Sequence, residues 1–210
     1  MTKKGSTTKD LLLKKATPLF AKKGYDGTTI KDICEATGMN VSLVSYYFGG
    51  KEGLFYSCIE NFADFGLKTA EKILIQPKSK EEFKVRLNMF LDEMINIHFE
   101  HEDLLTLIYM EMESQNLKSA DIFRKTFAKV FQLCVEFFEA GKNIGIMDRS
   151  LDARLSAAIF FGSIKSFFTG SKLRKQSLLD DLNDPSQKKK IREHYIKIFC
   201  EGFYNENKNN

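Results

Sequence analysis

Apolar residues recur at three- and four-residue intervals along almost the whole chain, and no stretch alternates every second residue long enough to make a strand. Side chains spaced in this way line one face of an α-helix. The clearest stripe is Phe123, Phe127, Val130, Phe131, Cys134 and Phe138. Only three prolines fall within 210 residues, so little interrupts the helices. Nineteen Phe and no Trp supply an interior free of polar atoms. An all-α fold is therefore expected.

The punctuation between helices is legible at the N-terminal end. Thr7 and Asp10 make a capping box for a first helix whose stripe runs through Leu11, Leu12, Ala16, Leu19 and Phe20. Gly24 suits a left-handed stop. Pro18 lies inside this pattern and predicts a kink near Lys14. Thr29-x-x-Asp32 caps a second helix with Ile30, Ile33 and Ala36 inside, closed by Gly38. Asn40 is placed to cap a third, short helix from Val41 to Tyr47. Lys51 opens a long fourth helix to about Ile75, and Pro77 blocks its extension. Further helical segments are expected near 79–99, 103–114, 119–141 and 152–172, with a last one carrying Ile191, Tyr195, Ile198, Phe199 and Phe203. Residues 152–172 are apolar nearly all round, so that helix must be covered on several sides.

Composition narrows the classes. With 43% apolar and 29% charged residues the chain can bury a core, which excludes a fully disordered protein. No run of 18 apolar residues predicts a membrane span. Leu11-Leu12-Leu13 is too short for a secretion signal, so no export is expected and a cytoplasmic protein is. Cys34, Cys58, Cys134 and Cys200 are far apart and suit reduced, buried thiols. His98, His101, Glu102 and Asp103 read as a polar junction between helices rather than a metal site, because no thiol or third His lies near; His194 stands alone. No phosphate loop, nucleophile elbow or zinc-protease motif occurs, and neither an enzyme nor a cofactor is expected.

Charge is uneven. Residues 1–51 hold nine Lys against four acids, whereas the remainder of the chain is nearly neutral. A basic end on a neutral body suits contact with a polyanion. The two short helices around Gly38 have helix-turn-helix proportions, in which the second helix enters the major groove. Its short side chains would be Val41, Ser42, Leu43 and Ser45, with Met39, Val44 and Phe48 as anchors. Tyr46 and Tyr47 offer phenols to phosphate. Thr28 and Thr29 sit at a helix N-terminus that favours phosphate, and Gly49-Gly50-Lys51 repeats the arrangement with a formal charge. Lys22, Lys23 and Lys31 read as solvated charges that strengthen the field.

The run Leu19-Phe20-x-x-x-Gly24-Tyr25-x-x-Thr28-Thr29-Ile30-x-x-Ile33-x-x-x-x-Gly38, then Val44-x-x-Tyr47-Phe48-x-x-Lys51-Glu52-x-Leu54, resembles the tetracycline-repressor (TetR) family of bacterial regulators over about residues 7–60. The resemblance implies a homodimer of about nine helices. A helix-turn-helix domain over 1–50 would bind a near-palindromic double-stranded DNA operator, and a body over 51–210 would dimerise and bind an effector. It implies that Asn40 caps the third helix, that Ser42 and Leu43 face bases, and that Tyr46, Tyr47 and Lys51 meet phosphates. Ser45 departs from the family pattern, where many members carry Tyr. Pro18 is also unusual.

A small hydrophobic or aromatic effector would suit a pocket lined by Met89, Phe90, Met94, Tyr109, Met110, Phe127, Phe131, Phe161 and Phe168. Leu155, Ile159, Phe167, Tyr195, Phe199 and Phe203 are the candidate dimer interface, where paired helices form a four-helix bundle. Two alternatives remain open: a ligand-independent, chromosome-organising DNA-binding protein, and a helical small-molecule carrier or enzyme whose basic end is incidental.

Overall fold

A computed structural model describes residues 7–113, 117–168 and 185–201. These residues form ten helices and no strand. In chain order they are α1 (Thr8–Gly27), α2 (Ile30–Thr37), α3 (Val41–Phe48), α4 (Lys51–Ile73), α5 (Lys80–Glu100), α6 (Glu102–Glu113), α7 (Leu117–Lys125), α8 (Phe127–Asn143), α9 (Ala153–Phe168) and α10 (Pro185–Glu201).

The first two helices begin as their sequences dictate. The Thr7 hydroxyl accepts from the Asp10 amide at 3.2 Å, and the Asp10 carboxylate accepts from the Thr7 amide at 3.1 Å. Thr29 and Asp32 repeat the exchange at 3.1 and 2.8 Å. Each pair satisfies two amide donors that a helix start leaves open. Asn40 occupies the capping position of α3 with extended torsions, yet its side chain makes no capping hydrogen bond.

Two breaks differ from the sequence expectation. In α1 the non-helical torsions fall at Gly24 (φ 71, ψ 177), not near Lys14, and Pro18 lies inside the helix. That backbone region is open essentially to glycine alone, so the chain turns where no Cβ stands in the way. The segment expected as one helix over 119–141 is two, α7 and α8. Between them Thr126 is buried, and both its amide and its hydroxyl donate to the Ile122 carbonyl, at 3.0 and 2.7 Å. A threonine hydroxyl bonded to the carbonyl four residues back favours a bend in the helix.

The chain packs as two units. The first comprises residues to Gly66 together with His101–Phe127. Its core joins Leu12, Ala16 and Phe20 of α1, Ile33 of α2, Val44 of α3, Leu54, Phe55, Cys58 and Ile59 of α4, Leu104 and Ile108 of α6, and Ile122 of α7. A fully buried Leu or Phe contributes about 1.5–3 kcal/mol by leaving water. The division differs from a boundary at residue 50, because α6 and α7 complete the core on which α1 to α4 rest.

The second unit comprises Leu67–Glu100 and the residues from Ala128 onward. Phe83, Leu87, Phe90 and Leu91 of α5 meet Phe137 and Phe138 of α8, Phe160 of α9 and Tyr195 of α10. Phe83 stacks on Phe137 with centroids 4.4 Å apart, and Phe160 meets Tyr195 edge to face at 5.8 Å. The Tyr195 hydroxyl donates to Ser163 Oγ at 2.7 Å. Asp92 and Arg192 form an ion pair between α5 and α10. All four cysteines are free thiols; Cys58 and Cys134 are buried, and burial pushes the Cys58 thiol up to about 11.

Candidate DNA-binding site

Helix α3 sorts its eight residues sharply. Val44 is fully buried, while Leu43 and Phe48 are half-buried and pack against the first core, as does Met39 ahead of the helix. Val41, Ser42, Ser45 and Tyr46 are exposed, Tyr46 at 80%. Their spacing places them on one face. Leu43 is thereby corrected: its half-buried side chain serves the core and is not part of the outward face. Tyr47 is exposed at 38%, and its ring meets Tyr46 edge to face at 4.9 Å. Neither phenol makes a hydrogen bond among the described residues, so both hydroxyls are available to an outside acceptor.

The flanking backbone bends at glycines. Gly38 closes α2 at φ 70 and Gly49 closes α3 at φ 72, both left-handed. Gly50 follows at φ 124 and precedes α4 with no side chain to cap it. The first amides of α4 and its positive dipole end therefore lie beside Lys51.

Thr28 does not fit the phosphate role. It is fully buried, its amide donates to the Tyr25 carbonyl at 3.3 Å, and its hydroxyl reaches the Gly24 and Leu19 carbonyls at 2.8 and 3.2 Å. No donor remains for an anion. Thr29 is exposed, but its amide and hydroxyl both donate to Asp32. That carboxylate is also held by Lys23 at 2.8 Å. The Lys23 contact and the Thr29 donors together keep the Asp32 carboxyl far below its usual range. What α2 can offer a phosphate is its open first-turn amides, not these two threonines.

Tyr25 and Lys9, two residues near α3, were given no DNA role in the sequence. Lys51 Nζ lies 4.3 Å from the Tyr25 ring centroid, and Lys9 Nζ lies 5.7 Å from that of Phe48. The Gly24-Tyr25 pair stands in the motif, but only the bent backbone reveals what its ring reaches.

Of the expected effector residues, Phe90, Phe131 and Phe161 meet in the second unit, the Phe161 ring lying 6.2 Å from Phe90 and 6.1 Å from Phe131 between centroids. Phe90 is fully buried and stacks on Phe160, so it is core. Met89 and Met110 are exposed, at 49% and 66%. Tyr109 and Phe127 belong to the first unit and are half-buried, the Tyr109 phenol being pushed up to about 12 by burial. Met94, Phe131 and Phe161 are half-buried against the second core. An open groove of about 360 Å³ lies between Leu74, Gln76 and the polar side of α8, and none of the expected residues lines it.

For the interface, Leu155 and Ile159 are exposed at 65% and 64% on one side of α9. Tyr195 is 5% exposed and is corrected to core within the chain, while half-buried Phe199 stacks on Phe138 at 5.4 Å. Phe203 and the side chains of Phe167 and Phe168 lie outside the described residues. His98 is buried with Nδ1 2.6 Å from the Met94 carbonyl, and His101 packs its ring on Phe62. Among the described residues no group of three His, Cys, Asp or Glu could hold a metal.

A capped bracing helix, a glycine turn and a short helix with one bare face, heading an otherwise all-helical chain, define the helix-turn-helix class. Residues 12–58 match the model of the bacterial regulatory proteins of the tetR family, so the chain carries that family's N-terminal domain. It is 28% identical over 133 residues to the probable HTH-type transcriptional regulator YttP of Bacillus subtilis, over 62% of this chain and 64% of that protein. It is 26% identical over 185 residues to the HTH-type transcriptional repressor NicS of Pseudomonas putida, over 86% and 85%. In fold it resembles the fatty acid degradation regulator FadR of Bacillus halodurans, with TM-score 0.70 and 18% identity over 89% of this chain and 97% of that one. AibR, in complex with isovaleryl coenzyme A and operator DNA, gives TM-score 0.70 and 16% identity over 93% and 99%.

Proposed function

We propose that this protein is a ligand-responsive transcriptional repressor that binds a near-palindromic operator as a homodimer. The observation that carries this reading is the bare face of α3, where Val41, Ser42, Ser45 and Tyr46 leave a neutral surface flanked by Lys9 and Lys51. Short neutral side chains let a helix backbone approach base edges, while cations and amides at its margins meet phosphates. Residues 1–50 would do the reading, and Asn40, Val41, Ser42, Ser45, Tyr46, Tyr47 and Lys51 would make the contacts. Two copies of α3 would enter successive major grooves about 34 Å apart.

Residues 51–210 would dimerise and sense. The outward Leu155 and Ile159 of α9 are the apolar pair that a second copy would cover. The effector would be a small hydrophobic molecule; AibR with isovaleryl coenzyme A lends support to an acylated one. Such a molecule releases DNA only by binding the two states with different affinity. Among the described residues no helix is long and apolar enough to cross a membrane, and we place the protein in the cytoplasm, on DNA. The family supports a regulator rather than an enzyme.

A gel-shift screen of the intact protein against DNA upstream of its own and adjacent genes tests the reading. A retained fragment with dyad symmetry is expected; uniform retention of all fragments would reject specific regulation.

A further inference from the structure

Lysines in the first unit are held in two different ways. Lys23 sits 2.8 Å from Asp32 and Lys31 3.9 Å from Glu35, so their charge is partly met by a carboxylate. Lys51 makes no ion pair with an acid among the described residues. Its ammonium lies over a neutral ring, 4.3 Å from the centroid of Tyr25.

That ring is itself fixed. It packs against Phe55 at 5.1 Å and stacks on Phe20 at 6.5 Å, and both phenylalanines are buried in the core. Gly24, with φ 71 and ψ 177, turns the chain just before Tyr25. Lys51, in turn, is the first residue of α4. A cation there opposes the positive end of the helix dipole, so the helix alone gives no reason for it.

We propose that Tyr25 is a positioning residue for DNA binding: its ring holds the Lys51 ammonium ready for a phosphate without neutralising it. The inference rests on the proposed DNA-binding reading. Ordering a free lysine side chain costs rotamer entropy. A ring that orders it beforehand moves part of that cost from binding to folding. A carboxylate would do the same but would compete with the phosphate. The ring occupies one side of the ammonium and leaves N–H donors on the other.

The test uses the intact protein and a duplex of arbitrary sequence, with affinity followed by fluorescence anisotropy between about 50 and 200 mM salt. Tyr25→Leu should weaken binding about two- to fivefold, the range of an exposed cation–π contact. Tyr25→Phe should restore binding. In a Lys51→Ala background, Tyr25→Leu should add nothing. An equal loss in both backgrounds, or no loss in either, would overturn the role assigned to Tyr25. A second measurement needs no Tyr25 variant. The Lys51 ε-methylene protons of the wild type should resonate upfield through the ring current and remain so when duplex is added. Loss of that shift on DNA addition would also overturn the proposal. Absence of any salt-dependent binding by the wild type would instead reject the DNA-binding reading, and the inference with it.

Discussion

On the proposed reading, a single charge or hydroxyl on α3 and its margins would do one of two jobs, and the two are separable by experiment. Lys51 should meet a phosphate, which every sequence presents alike. Lys51→Ala is expected to weaken binding to all duplexes and lower the salt slope by about one. An unchanged slope in an anisotropy titration would remove Lys51 from the contacts. Ser42 lies on the bare face and should meet a base edge. Ser42→Ala is expected to change preference at one base pair by about 1–3 kcal/mol. A selection experiment checks this, and a uniform loss across operator variants would reject it. Thr28, by contrast, is spent on its own chain, so its value is to the joint between α1 and α2.

At the scale of the element, the capping box of α2 ties stability to pH. The Asp32 carboxyl is held below its ordinary value of 3.8, through Lys23 first and Thr29 next. A carboxyl depressed in the folded state stabilises above its unfolded value and loses that contribution as pH falls. Thermal unfolding of the wild type should therefore drop as pH falls from about 5 towards 2, and Asp32→Asn should flatten that fall. Parallel pH profiles for the two proteins would show that the pair contributes nothing. Such caps were legible in the sequence because Thr and Asp act on amides three residues away. So were Val44 and Phe48 as anchors, since the helical period fixes their side. The break at Thr126 was not, because it depends on burial, which the local pattern does not encode. Leu43 was misplaced for a related reason: its type suits either a base edge or a core, and only packing decides. Tyr195 went the same way, drawn into the cluster around Phe160. The scattered Phe and Met residues could not be sorted into pocket and core by type alone.

For the whole molecule, the test falls on the outward side of α9. Leu155→Asp together with Ile159→Asp should yield a monomer by light scattering and weaken operator binding. The substituted side chains are exposed at 65% and 64%, so the monomer should stay folded. A dimer that survives both changes would move the interface elsewhere.

The sharing of one interior by α1 to α4 with α6 and α7 bears on how this protein can be taken apart. A splice after Gly66 would strip Leu104, Ile108 and Ile122 from the hydrophobic cluster around Phe20 and Phe55. A chimera built at that seam should precipitate, whereas one that also carries 101–127 should remain in solution. Anyone grafting this unit onto a foreign protein must transplant two separate stretches of chain.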